Sequence, residues 1–137
     1  MINDGLKMTG AVAIALNGEV VQEIPNLVVT AGKNFVASRM KDTTKAAMTH
    51  MAIGTNNTTA AVGQTALSAE VARGALTSTT VSNNTIAYVE TFAAGTGTGA
   101  IVEAGVFNAS SSGDMLCRTV FAVVNKGSAD AMTITWT

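Results

Sequence analysis

The sequence predicts an all-β protein, an antiparallel β-sandwich with one short α-helix. Three observations carry this. First, the C-terminal third holds three runs rich in β-branched and aromatic residues: Ile101 to Asn108, Met115 to Val124 and Ala131 to Trp136. Second, each gap between runs has turn chemistry, Ser110-Ser111-Ser112-Gly113-Asp114 in one and Asn125-Lys126-Gly127-Ser128 in the next, and similar signals recur along the chain. Third, one stretch alone has convincing helical spacing, Ala31 to Lys41, where Phe35, Val36 and Met40 fall on roughly one face.

Taken in order, Met1 to Lys7 is a short polar arm, and residues 8–137 form a single domain. Thr9 to Leu16 alternates small and large residues, with Val12, Ile14 and Leu16 on one face. Asn17-Gly18 is a hairpin turn, since both residues tolerate positive φ, and Glu19 to Ile24 is the return strand. Pro25, the only proline, ends it because proline cannot donate to a ladder. Asn26 to Thr30 is extended. The helix follows, with Thr30 placed as its N-cap and Arg39 and Lys41 suited to the dipole of its last turn. This helix is expected to plug one end of a β-layer. After a polar link, Asp42 to Ala46, the residues Met48 to Gly54 read as a strand. Thr55 to Gln64 is a loop nearly free of core-forming residues. Thr65 to Arg73 stays ambiguous, because Leu67 and Val71 lie four apart and one or two helical turns would fit. Arg73 to Thr80 and Thr85 to Phe92 read as a hairpin, with Ile86, Tyr88, Glu90 and Phe92 sharing one face. Eight or nine short strands result.

At 137 residues the chain is long enough for a single substantial core, burying roughly two thirds of its unfolded surface. Charged residues are only 12% of the sequence, about half the usual share. Thr, Ala, Ser, Asn and Gly take their place and give a polar, uncharged surface that resists association weakly. Two readings follow: a chain that works packed against neighbours, or a neutral secreted β-domain. The net charge is −1 with scattered Lys and Arg, so the basic footprint of a nucleic-acid binder is missing. The N-terminus lacks a basic start and a convincing apolar signal core, and no window is long and apolar enough to span a bilayer. Synthesis as a soluble protein in a cytoplasm is the expectation.

No residue pattern suggests catalysis. His50 is the only histidine and lies mid-strand. Cys117 is the only cysteine; in its apolar run it reads as a small core hydrophobe, with Arg118 pointing to the opposite face. A zinc site would need more His, Cys or carboxylate ligands than this. The acids show no paired spacing for general acid–base work. Gly95-Thr96-Gly97-Thr98-Gly99 leads into a strand rather than a helix and lacks the lysine and hydroxyl of a phosphate loop. The few aromatics make neither a stacking platform nor a sugar-binding cluster. Interaction surface remains. The candidate partner contacts are Met1, Ile2 and Asn3 in the arm and Thr55, Asn56, Asn57, Thr58 and Thr59 in the loop, although both segments would also suit plain solvation.

A series of phrases resembles a known family. They are Asn26-Leu27-Val28-Val29-Thr30-Ala31-Gly32-Lys33, Val36-Ala37-Ser38-Arg39-Met40, His50-Met51-Ala52-Ile53-Gly54-Thr55, Thr65-Ala66-Leu67 and Glu70-Val71-Ala72-Arg73. Glu103-Ala104-Gly105-Val106-Phe107-Asn108, Met115 to Phe121, Val124-Asn125-Lys126-Gly127 and Thr133-Ile134-Thr135-Trp136 complete the series. In order and spacing, from about Val20 to the C-terminus, the chain is similar to the capsid cement or decoration proteins of tailed bacteriophages, whose relatives are often labelled tail-fibre proteins. The resemblance implies a jelly-roll sandwich that binds the outside of the major capsid protein shell as a homo-dimer or homo-trimer. It implies a structural virion protein, not an enzyme, with no cofactor, metal, nucleic acid or membrane partner. A tail-fibre or tail-tip component and a host-surface binding module are the rival readings.

Overall fold

The computed structural model describes residues 7–41 and 45–137. Its first hairpin is β1 (Ala11–Leu16) and β2 (Glu19–Pro25), joined where Asn17 and Gly18 adopt φ of 52° and 83°. Both values are positive, as the mirror-image turns that match strand twist require. There follow β3 (Leu27–Val28), α1 (Thr30–Lys41), β4 (His50–Gly54), β5 (Glu70–Ala75), β6 (Ser78–Ser82), β7 (Thr85–Phe92), β8 (Gly99–Phe107), β9 (Met115–Lys126) and β10 (Met132–Trp136).

The strands form two five-stranded sheets, ordered β2-β1-β10-β7-β6 and β3-β9-β8-β4-β5. Every pairing is antiparallel. The first strand pairs with the last, and β3 pairs with β9 one level further in. The hairpins β1–β2, β6–β7 and β8–β9 close locally within these sheets. The all-β sandwich is therefore as the sequence predicts, with one helix and ten strands among the described residues where eight or nine strands are expected.

One ambiguity is resolved and two backbone expectations need correction. Thr65 to Ala69 forms no helical turn; it is the end of a loop, and the strand begins at Glu70. The single arm expected from Arg73 to Thr80 is split between the two sheets. Leu76 N–H still donates to Thr49 O (2.9 Å) in the second sheet, whereas Thr77 N–H donates to Val89 O (2.7 Å) in the first. The chain therefore changes sheet between consecutive residues, a corner that links the two layers. The helix starts one residue early: Val29 O already accepts from Lys33 N–H (3.1 Å), so Val29 occupies the capping position, and Thr30 N–H goes to Val62 O (2.8 Å).

The helix packs on β9 with its first half. Gly32 and Phe35 are buried and Val36 is partly buried against the core, while Met40 is 78% exposed, contrary to its assignment to the buried face. Between the sheets lie Val12, Ile14, Tyr88, Phe92, Met132, Ile134 and Trp136 from one layer. They face Met51, Ile53, Ile101, Val106, Cys117 and Val124 from the other. A second, smaller cluster sits on the far side of the second sheet: Val29, Ala52, Leu67, Phe107 and Met115. That sheet is thus covered on both faces, which is why β4 and most of β8 and β9 are almost continuously buried.

Gly32 fixes how close the helix lies, because a methyl there would collide with the Leu116 carbonyl. Gly32→Ala is expected to lower stability by about 2 kcal/mol despite alanine's better helix propensity, read as a lower urea midpoint with unchanged slope.

Candidate interaction surface

The outer cover of the second sheet is built on two charged side chains within its apolar strands. Arg118 in β9 stands opposite Gly105 in β8, with Glu103 two residues along on the same face. Gly105 leaves room there: Leu67 sits over it, and a Cβ would meet Leu67 Cδ2 at 3.0 Å. Arg118 donates to one oxygen of Glu103 from Nη2 (2.7 Å) and Nε (3.1 Å), and both side chains are 0% exposed. Burying two charges costs several kcal/mol per ion unless their remaining hydrogen-bonding capacity is satisfied. Here it is satisfied by one loop. Glu103 accepts the backbone N–H groups of Ser68 (3.0 Å) and Ala69 (2.7 Å), while Arg118 Nη1 donates to Thr58 O (2.8 Å) and Gln64 Oε1 (3.1 Å).

The loop 55–69 is consequently a compact Ω-loop. Its neck closes where Thr55 N–H donates to Ala69 O (3.0 Å). Asn56 Oδ1 accepts from Thr58 N–H (2.7 Å), and Gln64 bridges Ala61 N–H and Thr59 O. Gly54 at the neck admits the Glu103 carboxylate, which a Cβ would displace. Of the sequence-predicted contacts, Thr55, Asn57, Thr58 and Thr59 are exposed and Asn56 is half-buried. Their backbone is held inward, and they form one neutral polar surface with Val62, itself exposed. Beside it, a hollow of about 320 Å³ is lined by Pro25, Leu27, Thr59, Ala60 and Val120. Met1, Ile2 and Asn3 lie outside the described residues.

The residues that organise this surface were not among the candidates. The sequence did carry a signal: an arginine and a glutamate, each inside an apolar strand run, on strands joined by a short turn, need partners if buried. Arg73 plays a parallel role. Its guanidinium lies 3.8 Å from the Phe107 ring centroid, pairs with Glu70 through two bonds (2.7 and 3.0 Å) and donates to Ala109 O and Ser112 O, tying β5 to the β8–β9 turn.

No group of three or more His, Cys, Asp or Glu side chains that could hold a metal occurs among the described residues. His50 is half-buried with its Nδ1 2.8 Å from Thr49 Oγ1. Gly95, Gly97 and Gly99 all have positive φ in a turn that enters β8, with no helix terminus to bind an anion. Cys117 is in the core; desolvation pushes its thiol from 9.0 up to about 12, against smaller opposing effects of hydrogen bonds from Asn26 and Val106. No helix among the described residues is long and apolar enough to cross a membrane.

Two predictions follow from this arrangement. Arg118→Met leaves Glu103 buried without its partner and is expected to cost about 3–5 kcal/mol. Pairing it with Glu103→Met should restore most of that stability in denaturant unfolding, while the Ser68 and Ala69 amides lose hydrogen-exchange protection because their acceptor is gone. The thiol sets a pH dependence. An unfolded thiol ionises near 9 and the native one near 12, so the native state keeps its proton longer. The thiol's contribution is then full below pH 9 and falls as pH rises toward 12; Cys117→Ala should reduce the slope of a urea-midpoint profile from pH 9 upward, the part left above pH 10 belonging to the Tyr88 hydroxyl, which desolvation also pushes up to about 12.

In comparisons with protein families, curated proteins and solved structures, the chain matches none.

Proposed function

We propose that this protein is a capsid cement protein of a tailed bacteriophage, bound to the outside of the major capsid protein shell. The observation that carries the reading is the Ω-loop 55–69, an exposed, uncharged surface held rigid by a fully buried ion pair. A loop ordered before contact loses little conformational entropy on binding. A neutral one suits a lattice where many copies sit side by side without mutual repulsion. The resemblance of the phrases from Asn26 to Trp136 supplies the phage context.

The work is mechanical. Each copy bridges neighbouring capsid subunits, and burial at those contacts opposes the internal pressure of packaged DNA. Stable specific interfaces bury about 1,200–2,000 Å², and many weaker contacts on one lattice gain from multivalency. The loop, the hollow beside it and the arm Met1 to Lys7 are the proposed contacts.

Quantitative mass spectrometry of virions tests the reading: cement is expected in numbers comparable to the major capsid protein, and far fewer copies would place the protein in the tail instead. Shells stripped of the protein should regain heat resistance when it is added back. Asn57→Lys with Thr59→Lys should reduce shell occupancy at least about tenfold with unchanged melting temperature, because each lysine loses solvation at the contact. Deleting Met1 to Lys7 should weaken binding without unfolding the domain, and full occupancy by the truncated protein would remove the arm from the contact.

A further inference from the structure

Two sheets leave four edge strands among the described residues, and three of them are blocked in ways that natural sheets use against edge-to-edge pairing. The edge strand β2 carries Glu19 and Glu23, ends at Pro25 and has its own register shift against β1, with Val21 as the extra residue. The edge strand β3 is two residues long and runs straight into α1. The edge strand β5 presents the Glu70–Arg73 ion pair and faces a register shift at Ile53/Gly54. The fourth, β6, has none of these. Ser78-Thr79-Thr80-Val81-Ser82 has no charge and no proline and pairs with β7 without a register shift, and all five residues are exposed, Val81 by 70%.

We propose that β6 pairs antiparallel with β6 of a second copy, joining two first sheets into one of ten strands across a two-fold axis at Thr80. The hairpin dictates this register. Asn83-Asn84 is a two-residue turn, so Ser82 and Thr85 form its hydrogen-bonded closing pair, and Thr80 with Ala87 forms the next. The N–H and C=O groups of Thr79 and Val81 therefore point away from β7. Setting Thr79 opposite Val81 of the second copy uses all of them in four hydrogen bonds. Every side chain on this edge is neutral, so no like charges meet when the strand faces its own copy. The outer faces also join without a charge: β1, β10, β7 and β6 present Ala11, Ala13, Ala15, Thr133, Thr135, Ala87, Val89 and Thr80 there. A single five-residue edge makes a small contact, so the dimer is weak in solution and strengthened when both copies sit on a common lattice. The pairing itself does not depend on where in a virion the protein acts.

The test uses the full chain. At the two-fold, Thr80 and its copy form a non-hydrogen-bonded pair with Cα atoms about 4.5 Å apart, within disulfide reach. Ser78 and its copy lie about 13 Å apart along the strand. Under mild oxidation Thr80→Cys should give a covalent dimer and Ser78→Cys should not; the native Cys117 is buried and stays out of the reaction. Val81→Pro removes an N–H that the β6–β7 hairpin does not use, so melting temperature should hold while dimerisation in sedimentation velocity weakens about tenfold or more. Equal cross-linking at both positions, or a dimer undiminished by Val81→Pro, would overturn the proposal. So would a wild-type chain monomeric at millimolar concentration, including the case where Val81→Pro then impairs shell binding, since the edge would be serving a strand of another protein.

Discussion

The outer architecture hangs on one buried ion pair. Arg118 and Glu103 sit inside apolar strands with no access to water, and each is left with hydrogen-bonding capacity beyond the other. Removing only one would strand a charge in a low-dielectric setting, so the fold must provide further polar partners at that point. The loop 55–69 provides them through two amides, a carbonyl and a glutamine side chain. The segment has few apolar side chains to fold around, and Leu67 is its one buried anchor. Its order comes from electrostatics inside the sheet rather than from a core of its own.

That constraint divides the molecule into unequal halves. The second sheet is packed against the first on one face and capped by the loop on the other, with Arg73 closing the cap at its far end. Among the described residues the first sheet has no such cover. The outer face of β1, β10 and β7 carries small and β-branched uncharged residues, with the Thr91 and Thr133 hydroxyls bonded across strands at 2.8 Å, and the charge on that face lies at the β2 edge in Glu23. The free edges of this sheet differ sharply in protection. Charge plays its largest structural part where no solvent reaches.

The strands with one wet face were legible. Val12, Ile14 and Leu16 alternate with alanines, Tyr88, Glu90 and Phe92 point inward as their spacing indicates, and Asn17-Gly18 makes the turn its residues favour. Cys117 was readable as core from its apolar neighbours, with Arg118 on the opposite face. The helix was legible in extent but not in aspect. Met40 fits the apolar stripe, yet the sheet end reaches only as far as Phe35 and Val36. The change of sheet at Leu76 and Thr77 left no mark, because a strand that crosses from one layer to the other keeps its composition.

Local chemistry alone determined which segments extend, which one coils and where tight turns fall, since these depend on neighbours within a few residues. Only the tertiary structure decided that Arg118 meets Glu103, that both hold a distant loop, and that β6 is an open edge among the described residues. Those outcomes depend on which strands lie side by side. Alternating hydrophobicity sets the face a side chain takes but says nothing about the strand that will stand next to it.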